Sequence, residues 1–173
     1  MRWNGLGGAR AGSGVRYPVG VTEELCATDA YVRSCEATVE QVTDGGVVLD
    51  RTVFYARSGG QPGDTGVLRW DGGETRVVDT VKEGGSPLHQ VEGVPLPVGT
   101  AVTAEIDWGR RHRLMRTHTA LHALSAVVFR DYHAKVTGGN MEPGVARMDF
   151  ELETIDAEFG REVEDKLNAE LDA

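Results

Sequence analysis

The chain has 173 residues, 40% of them hydrophobic and 26% charged, enough for one domain or two small ones with a real core. The formal net charge is -9, but residues 151–173 alone contribute -7, so the other 150 residues are nearly neutral and a basic cluster among them can still meet a polyanion. No stretch approaches the ~20 apolar residues of a membrane helix. The first twenty residues hold three Arg but no apolar run, which excludes a secretory signal and leads to a cytoplasmic reading with no membrane partner.

Residues 1–20 are rich in Gly and Arg without periodicity and read as a disordered extension, with Val21 as the expected natural start. Cys26 and Cys35 fit no zinc-knuckle spacing and read as two free thiols at or near a strand. From Tyr31 to Trp108 the pattern is short and β-like: CEATVEQV, VVLDRTVFY, TGVLRW, TRVVDTV, PLHQV and TAVTAEIDW. Asp44-Gly45-Gly46, Asp71-Gly72-Gly73, Gly84-Gly85-Ser86 and Pro95-Leu96-Pro97 separate these runs as turns, the two Asp-Gly pairs being the best hairpin signals. Six or seven short strands at this spacing predict a small antiparallel barrel over 21–108.

The period then changes. Leu114, Leu121, Leu124 and Val128 recur at helical spacing, predicting a helix from Gly109 to about Phe129. A strand pair is expected at Ala134–Thr137 and Val145–Leu152, split by a Gly138-Gly139-Asn140 turn. A last helix is expected with Thr154 as N-cap and an apolar stripe of Ile155, Phe159, Val163, Leu167 and Leu171. Either that helix closes the protein at Ala173 or the sequence continues past it. The order is barrel, helix, strands, helix, an α+β chain with a boundary near Trp108.

Three segments carry chemistry. His118 and His122 lie one helical turn apart, so the pair fits either a single divalent metal, zinc first, or two half-buried histidines. The Thr119 that follows His118 stands where a zinc peptidase would carry its general-base Glu, which disfavours that chemistry. SGGQPGDTG, residues 58–66, fits an ordinary Gly-rich hairpin or a loop whose Gly59 and Gly60 amides and Gln61 side chain approach a ligand. GRRHRLMR, residues 109–116, puts Arg110, Arg111, Arg113 and Arg116 at a helix start, against the dipole preference. The cluster reads either as a phosphate site or as solvated charges balanced by nearby acids.

Taken in this order and spacing, the segments resemble the alanyl-tRNA editing family, comprising the freestanding AlaX proteins and the editing domain of alanyl-tRNA synthetase. The family pattern FYPxGGGQPxDxG is similar to Phe54–Gly66, with Ala56 and Ser58 departing from it. R-x-H-T-A-x-H stands at Arg116–His122, and a KVTGG-type strand at Lys135–Gly139. The resemblance covers about Thr22–Ala173. It implies a barrel like the second domain of translation factors over 21–108, then over 109–173 the N-terminal part of an α/β editing domain of the threonyl/alanyl-tRNA synthetase type.

It also implies hydrolysis of Ser-tRNA(Ala), or Gly-tRNA(Ala), with one zinc ion. His118 and His122 match two metal ligands, Gln61 the loop glutamine near the pocket, and Thr137 the threonine that recognises serine. The Arg cluster is expected to hold acceptor-stem phosphates. The family's remaining Cys and His come from a downstream CxxxH segment, for which this sequence has no counterpart: it has no His after His133 and no Cys after Cys35. The alternatives are an editing-domain fragment of alanyl-tRNA synthetase, or a non-catalytic RNA-binding remnant with an incomplete metal site.

Overall fold

Turn chemistry sets the register of the barrel. In a computed structural model that describes residues 21–93, 96–152, 154 and 156–171, three two-residue hairpins close where the dipeptides predict them. Asp44-Gly45 joins β2 (Ser34–Thr43) to β3 (Gly46–Leu49), and Asp71-Gly72 joins β5 (Gly66–Trp70) to β6 (Gly73–Glu83). Gly84-Gly85 joins β6 to β7 (Ser86–Val91). With β8 (Ala101–Ile106) these strands form a closed antiparallel barrel in the order β2-β3-β7-β6-β5-β8, leaving no open edge. Buried aliphatic side chains fill it, among them Val39, Leu49, Leu68, Val77 and Val102, together with Phe54.

The apolar run 47–55 is not one strand. The Asp50 carboxylate accepts hydrogen bonds from the Thr38 amide at 2.7 Å and the Arg51 amide at 2.9 Å, which turns the chain out of β3. Arg51–Thr52 (β4) then pairs in parallel with Glu23–Glu24 (β1), while Val53 and Phe54 stay fully buried outside any strand. Residues 1–20, Pro95, Ile155 and the Leu171 side chain, on which some sequence expectations rest, lie outside the described residues.

Trp108 opens α1 (Trp108–Tyr132) rather than ending β8, because the Asp107 carboxylate accepts the Arg110 amide at 2.9 Å and caps the helix. The helix runs three residues past Phe129, and His133 ends it in the left-handed conformation. β9 (Val136–Glu142) and β10 (Val145–Phe150) form the expected strand pair, but Gly138-Gly139-Asn140 is a mid-strand segment and Pro143-Gly144 makes the turn. Gly139 is needed where it stands, since a Cβ there would lie 2.7 Å from the Arg147 carbonyl. Asp156, not Thr154, caps α2 (Ala157–Leu171), accepting the amides of Glu158 and Phe159 at 3.0 and 2.8 Å. The α2 stripe packs on α1: Val163 is buried with Val128 and Ala134, and Phe159 meets Tyr132 edge-on at 4.9 Å.

One ion pair docks α1 on the barrel. Arg111 and Asp64 are 3% and 1% exposed. The Arg111 Nε donates to Asp64 Oδ2 at 2.8 Å, and Nη2 donates to the same oxygen and, at 2.8 Å, to the Val53 carbonyl. Nη1 reaches the Ala30 carbonyl at 3.3 Å. Asp64 Oδ2 also accepts the Tyr55 amide at 2.8 Å, whereas Oδ1 has no partner among the described residues. Removing one member of a buried pair strands the other charge, at about 3–5 kcal/mol. Arg111→Met should therefore lower unfolding free energy by that order in urea titration. A midpoint matching the wild type would show that the pair does not hold the helix.

His89 is another fully buried polar group of the barrel. Its ring lies 3.1 Å from the Val47 carbonyl through Nδ1 and 2.8 Å from the Thr52 hydroxyl through Nε2, so the neutral ring donates from Nδ1 and accepts at Nε2. Burial, only partly opposed by the Val47 carbonyl, lowers its pKa from 6.5 to about 4. Below pH 6.5 the unfolded chain takes up a proton that the folded chain refuses until about pH 4, so stability falls as pH drops through that window. At roughly 1.4 kcal/mol per unit the loss reaches about 3 kcal/mol. His89→Gln should flatten this part of the stability–pH curve. An unchanged slope would assign it to other groups.

Candidate functional site

The Gly-rich segment folds back on itself beside α1. Ser58 and Gln61 exchange backbone hydrogen bonds at 3.2 and 2.9 Å around Gly59 and Gly60, whose φ values of +57° and +81° suit glycine in a tight turn. The segment is fastened at three further points. The Arg57 amide donates to the Thr80 carbonyl at 2.8 Å, the Asp64 amide to the Tyr55 carbonyl at 2.9 Å, and the Thr80 hydroxyl to the Asp64 carbonyl at 3.0 Å. Gly63 lets the loop lie directly on β6, since any Cβ there would collide with the Thr80 carbonyl. The loop is a rigid ledge rather than a free hairpin.

His118 meets that ledge. Its Nδ1 lies 2.8 Å from Gln61 Oε1, and Gln61 is 93% removed from solvent at 7% exposure. If the amide oxygen faces the ring, Nδ1 carries the proton and Nε2 keeps its lone pair. His118 follows Arg111 by seven residues, nearly two helical turns, so both side chains look toward the same loop. Arg111 grips Asp64 and His118 grips Gln61. The His122 ring stacks on that of His118, with centroids 4.8 Å apart and planes 16° from parallel.

Both histidines line a cavity of about 290 Å³ between the ledge and the β9–β10 hairpin. Gly59 and Gly60 form one side, Leu121 lies on the helix side, and Val136, Gly138, Gly139, Asn140 and Met141 line it from β9, with Arg147 and Met148 from β10. The amides of Gly59 and Gly60 have no backbone acceptor among the described residues, so they remain available as donors. Two imidazoles side by side, one with its tautomer set by a buried amide, are a donor set suited to zinc. Among the described residues no group of three or more His, Cys, Asp or Glu joins them.

The other expected site residues divide. Thr137 is exposed and outside the cavity lining: it is the extra residue of a β-bulge, since Asp149 pairs with Gly138 and Phe150 with Val136. Arg111 is not a phosphate contact, because its guanidinium is consumed by Asp64 and two carbonyls. Arg110 is half-buried and donates to the Gly63 carbonyl at 2.7 Å, while Arg113 and Arg116 are exposed.

Among the described arginines, Arg51, Arg57, Arg69, Arg76, Arg111, Arg130 and Arg147 have carboxylate partners. Arg33, Arg110, Arg113, Arg116 and Arg161 do not; the first four lie at the start of α1 or beside it, Arg33 over the Trp108 ring, and Arg161 is in α2. Burial pushes both thiols, Cys26 and Cys35, above their ordinary pKa, so neither is an activated nucleophile.

Sequence reasoning missed Asn140 as a lining residue because it sat in an expected turn. Period-2 alternation does not mark it, since residues 138–141 line the cavity in succession after the bulge at Thr137.

Comparison with known proteins gives the same direction. The family model for class II (A) tRNA synthetases matches residues 22–110. The alanyl-tRNA editing protein AlaX-M of Methanosarcina mazei is 44% identical over 157 residues, 86% of this chain and 62% of that protein. AlaX-M of Saccharolobus solfataricus is 40% identical over 139 residues, 79% and 59% of the two chains. The alanine–tRNA ligase of Pyrobaculum arsenaticum is 53% identical over 104 residues, 60% of this chain but 12% of the ligase. The chain thus spans about three-fifths of the length of the AlaX-M relatives it matches.

The Gln61–His118 contact is open to direct test. Nitrogen-15 spectra of the histidine rings should show His118 as the Nδ1–H tautomer in the wild type and as the ordinary tautomer mixture in Gln61→Ala. Identical spectra in the two proteins would remove Gln61 as the group that orients the ring.

Proposed function

The chain belongs to the class II (A) tRNA synthetase family, among its alanyl-tRNA editing members, and on that premise we propose that it contributes a zinc site for hydrolysing the ester of mischarged Ser-tRNA(Ala) or Gly-tRNA(Ala). The barrel corresponds in this reading to the translation-factor-like domain, and the segment from α1 onward to part of the editing domain. The observation that carries the proposal is the stacked His118–His122 pair on the wall of a cavity whose opposite side is the Gly59–Gly60 ledge. Zinc bound by the two histidines would supply Lewis acidity and a more acidic water.

The residues of this chain have separable roles. Gln61 holds the His118 ring, leaving Nε2 available as a ligand atom. The free amides of Gly59 and Gly60 stand ready to donate to the oxyanion that forms when water adds to the ester carbonyl; its collapse returns the tRNA ribose hydroxyl and the free amino acid. Arg113 and Arg116, exposed and without carboxylate partners, suit acceptor-stem phosphates.

Selection of serine over alanine needs a polar group in the cavity, since a site built to pair a hydroxyl leaves that group unsatisfied when the hydroxyl is missing. Asn140 lines the cavity and Thr137 does not, so the role that the resemblance gives to Thr137 passes to Asn140.

His118→Ala or His122→Ala should reduce bound zinc and lower kcat/KM for Ser-tRNA(Ala) by at least about 100-fold, the scale of losing a metal's contribution. Full hydrolysis by either variant would overturn the site. Asn140→Ala should lower kcat/KM for Ser-tRNA(Ala) more than for Gly-tRNA(Ala), and Thr137→Val should leave that ratio unchanged. The reverse pattern would return the serine contact to Thr137.

A further inference from the structure

Beside the cavity, on an adjoining face of α1, lies an aromatic cluster that the hydrolytic site does not use. The His112 ring stacks on Trp108 with centroids 5.4 Å apart and planes 15° from parallel. Tyr31 leans on the same indole at 5.6 Å yet remains 63% exposed, a large aromatic surface left to solvent. The Arg33 guanidinium lies 4.4 Å above the Trp108 ring. Tyr31, His112, Met115, Arg116, Thr119 and Ala120 enclose an open cavity of about 340 Å³, within the range of small-molecule pockets.

We propose that this cluster is a nucleobase-stacking subsite, which takes an unpaired base from the single-stranded end of the tRNA while the esterified terminus occupies the His118–His122 cavity. The proposal rests on the tRNA-editing reading above and adds to it a second contact. Three features of the cluster meet here. The His112 ring stacked on Trp108, with the exposed Tyr31 tilted 47° against the same indole, offers flat aromatic faces on which any base can lie. Arg33, over the Trp108 ring, and Arg116, in the cavity wall, have no carboxylate partner among the described residues, in a protein whose net charge is -9, so the local field favours a polyanion that the whole molecule would repel. Finally, His112 precedes His118 by six residues, about 9 Å along the helix axis, which puts platform and hydrolytic cavity within reach of one strand.

The test uses the intact chain and two uncharged RNA hairpins that copy the tRNA(Ala) acceptor stem, one with its unpaired four-nucleotide 3′ end and one blunt, with fluorescence anisotropy as the readout. The wild type should bind the tailed hairpin about ten-fold more tightly, the scale of one base–aromatic stack. Tyr31→Ala and the double variant Tyr31→Ala/His112→Ala should lose that ratio while binding the blunt hairpin normally, and Tyr31→Phe should keep it. Arg113→Gln/Arg116→Gln should instead weaken both hairpins and reduce the salt dependence. A wild type that binds both hairpins equally overturns the stacking subsite and leaves the editing reading standing. A Tyr31→Ala variant that weakens both hairpins alike also overturns it, because the role is then structural. If neither hairpin binds, the tRNA reading itself fails, and the subsite with it.

Discussion

The site depends on a charge buried where water cannot reach it. Desolvating a guanidinium and a carboxylate costs several kcal/mol per ion, and such a pair survives only when geometry and extra hydrogen bonds return most of that cost. Arg111 has those bonds: a chelated carboxylate oxygen and carbonyls from two other segments, Val53 and Ala30. One helix residue thereby ties together the chain before β2, the coil after β4 and the Gly-rich loop. Hydrophobic residues of equal size could fill the space, but they would not fix the helix at one rotation about its axis. The arrangement of the cavity follows from that fixed rotation.

The His118–His122 cavity is accordingly a junction between a stiff half and a less enclosed one. The barrel supplies the ledge, held by hydrogen bonds to β6 and without a free strand edge. The helix supplies the imidazoles. The hairpin of β9 and β10 closes the third side, carrying an exposed Val136 and Val145 and a bulge at Thr137. The fixed donors thus stand on the ledge and helix, while the third side is the one whose backbone departs from regular pairing.

Much of this was legible in the sequence, for identifiable reasons. Asp-Gly and Gly-Gly pairs between alternating runs announce two-residue hairpins, and all three formed. The same logic misplaced the β9–β10 turn. Gly138 and Gly139 signal a turn by composition, yet Gly139 is there because strand β10 passes too close for a side chain, a property of tertiary structure alone. The four arginines of residues 110–116 could not be sorted by type. What separates Arg111 is its phase: it shares a helix face with buried Leu114 and with His118, whereas Arg113 points to solvent. Asp64, the lone acid of the Gly-rich loop, was the matching signal. The Tyr31–Trp108–His112 cluster went unread because Tyr31 is distant in sequence from the helix it touches.

The double grip of α1 on the loop also works as a ruler. Asp64 and Gln61 are three residues apart on the ledge, while Arg111 and His118 are seven apart on the helix, and each distance is meaningful only against the other. One residue inserted between Arg111 and His118 would swing His118 by about 100° and advance it 1.5 Å, taking both imidazoles off the cavity while leaving the helix itself intact. Exposed side chains between the two grips can drift, but the buried Leu114 and the number of residues cannot. Chain length over this interval is therefore a stricter signature of the site than any single intervening residue.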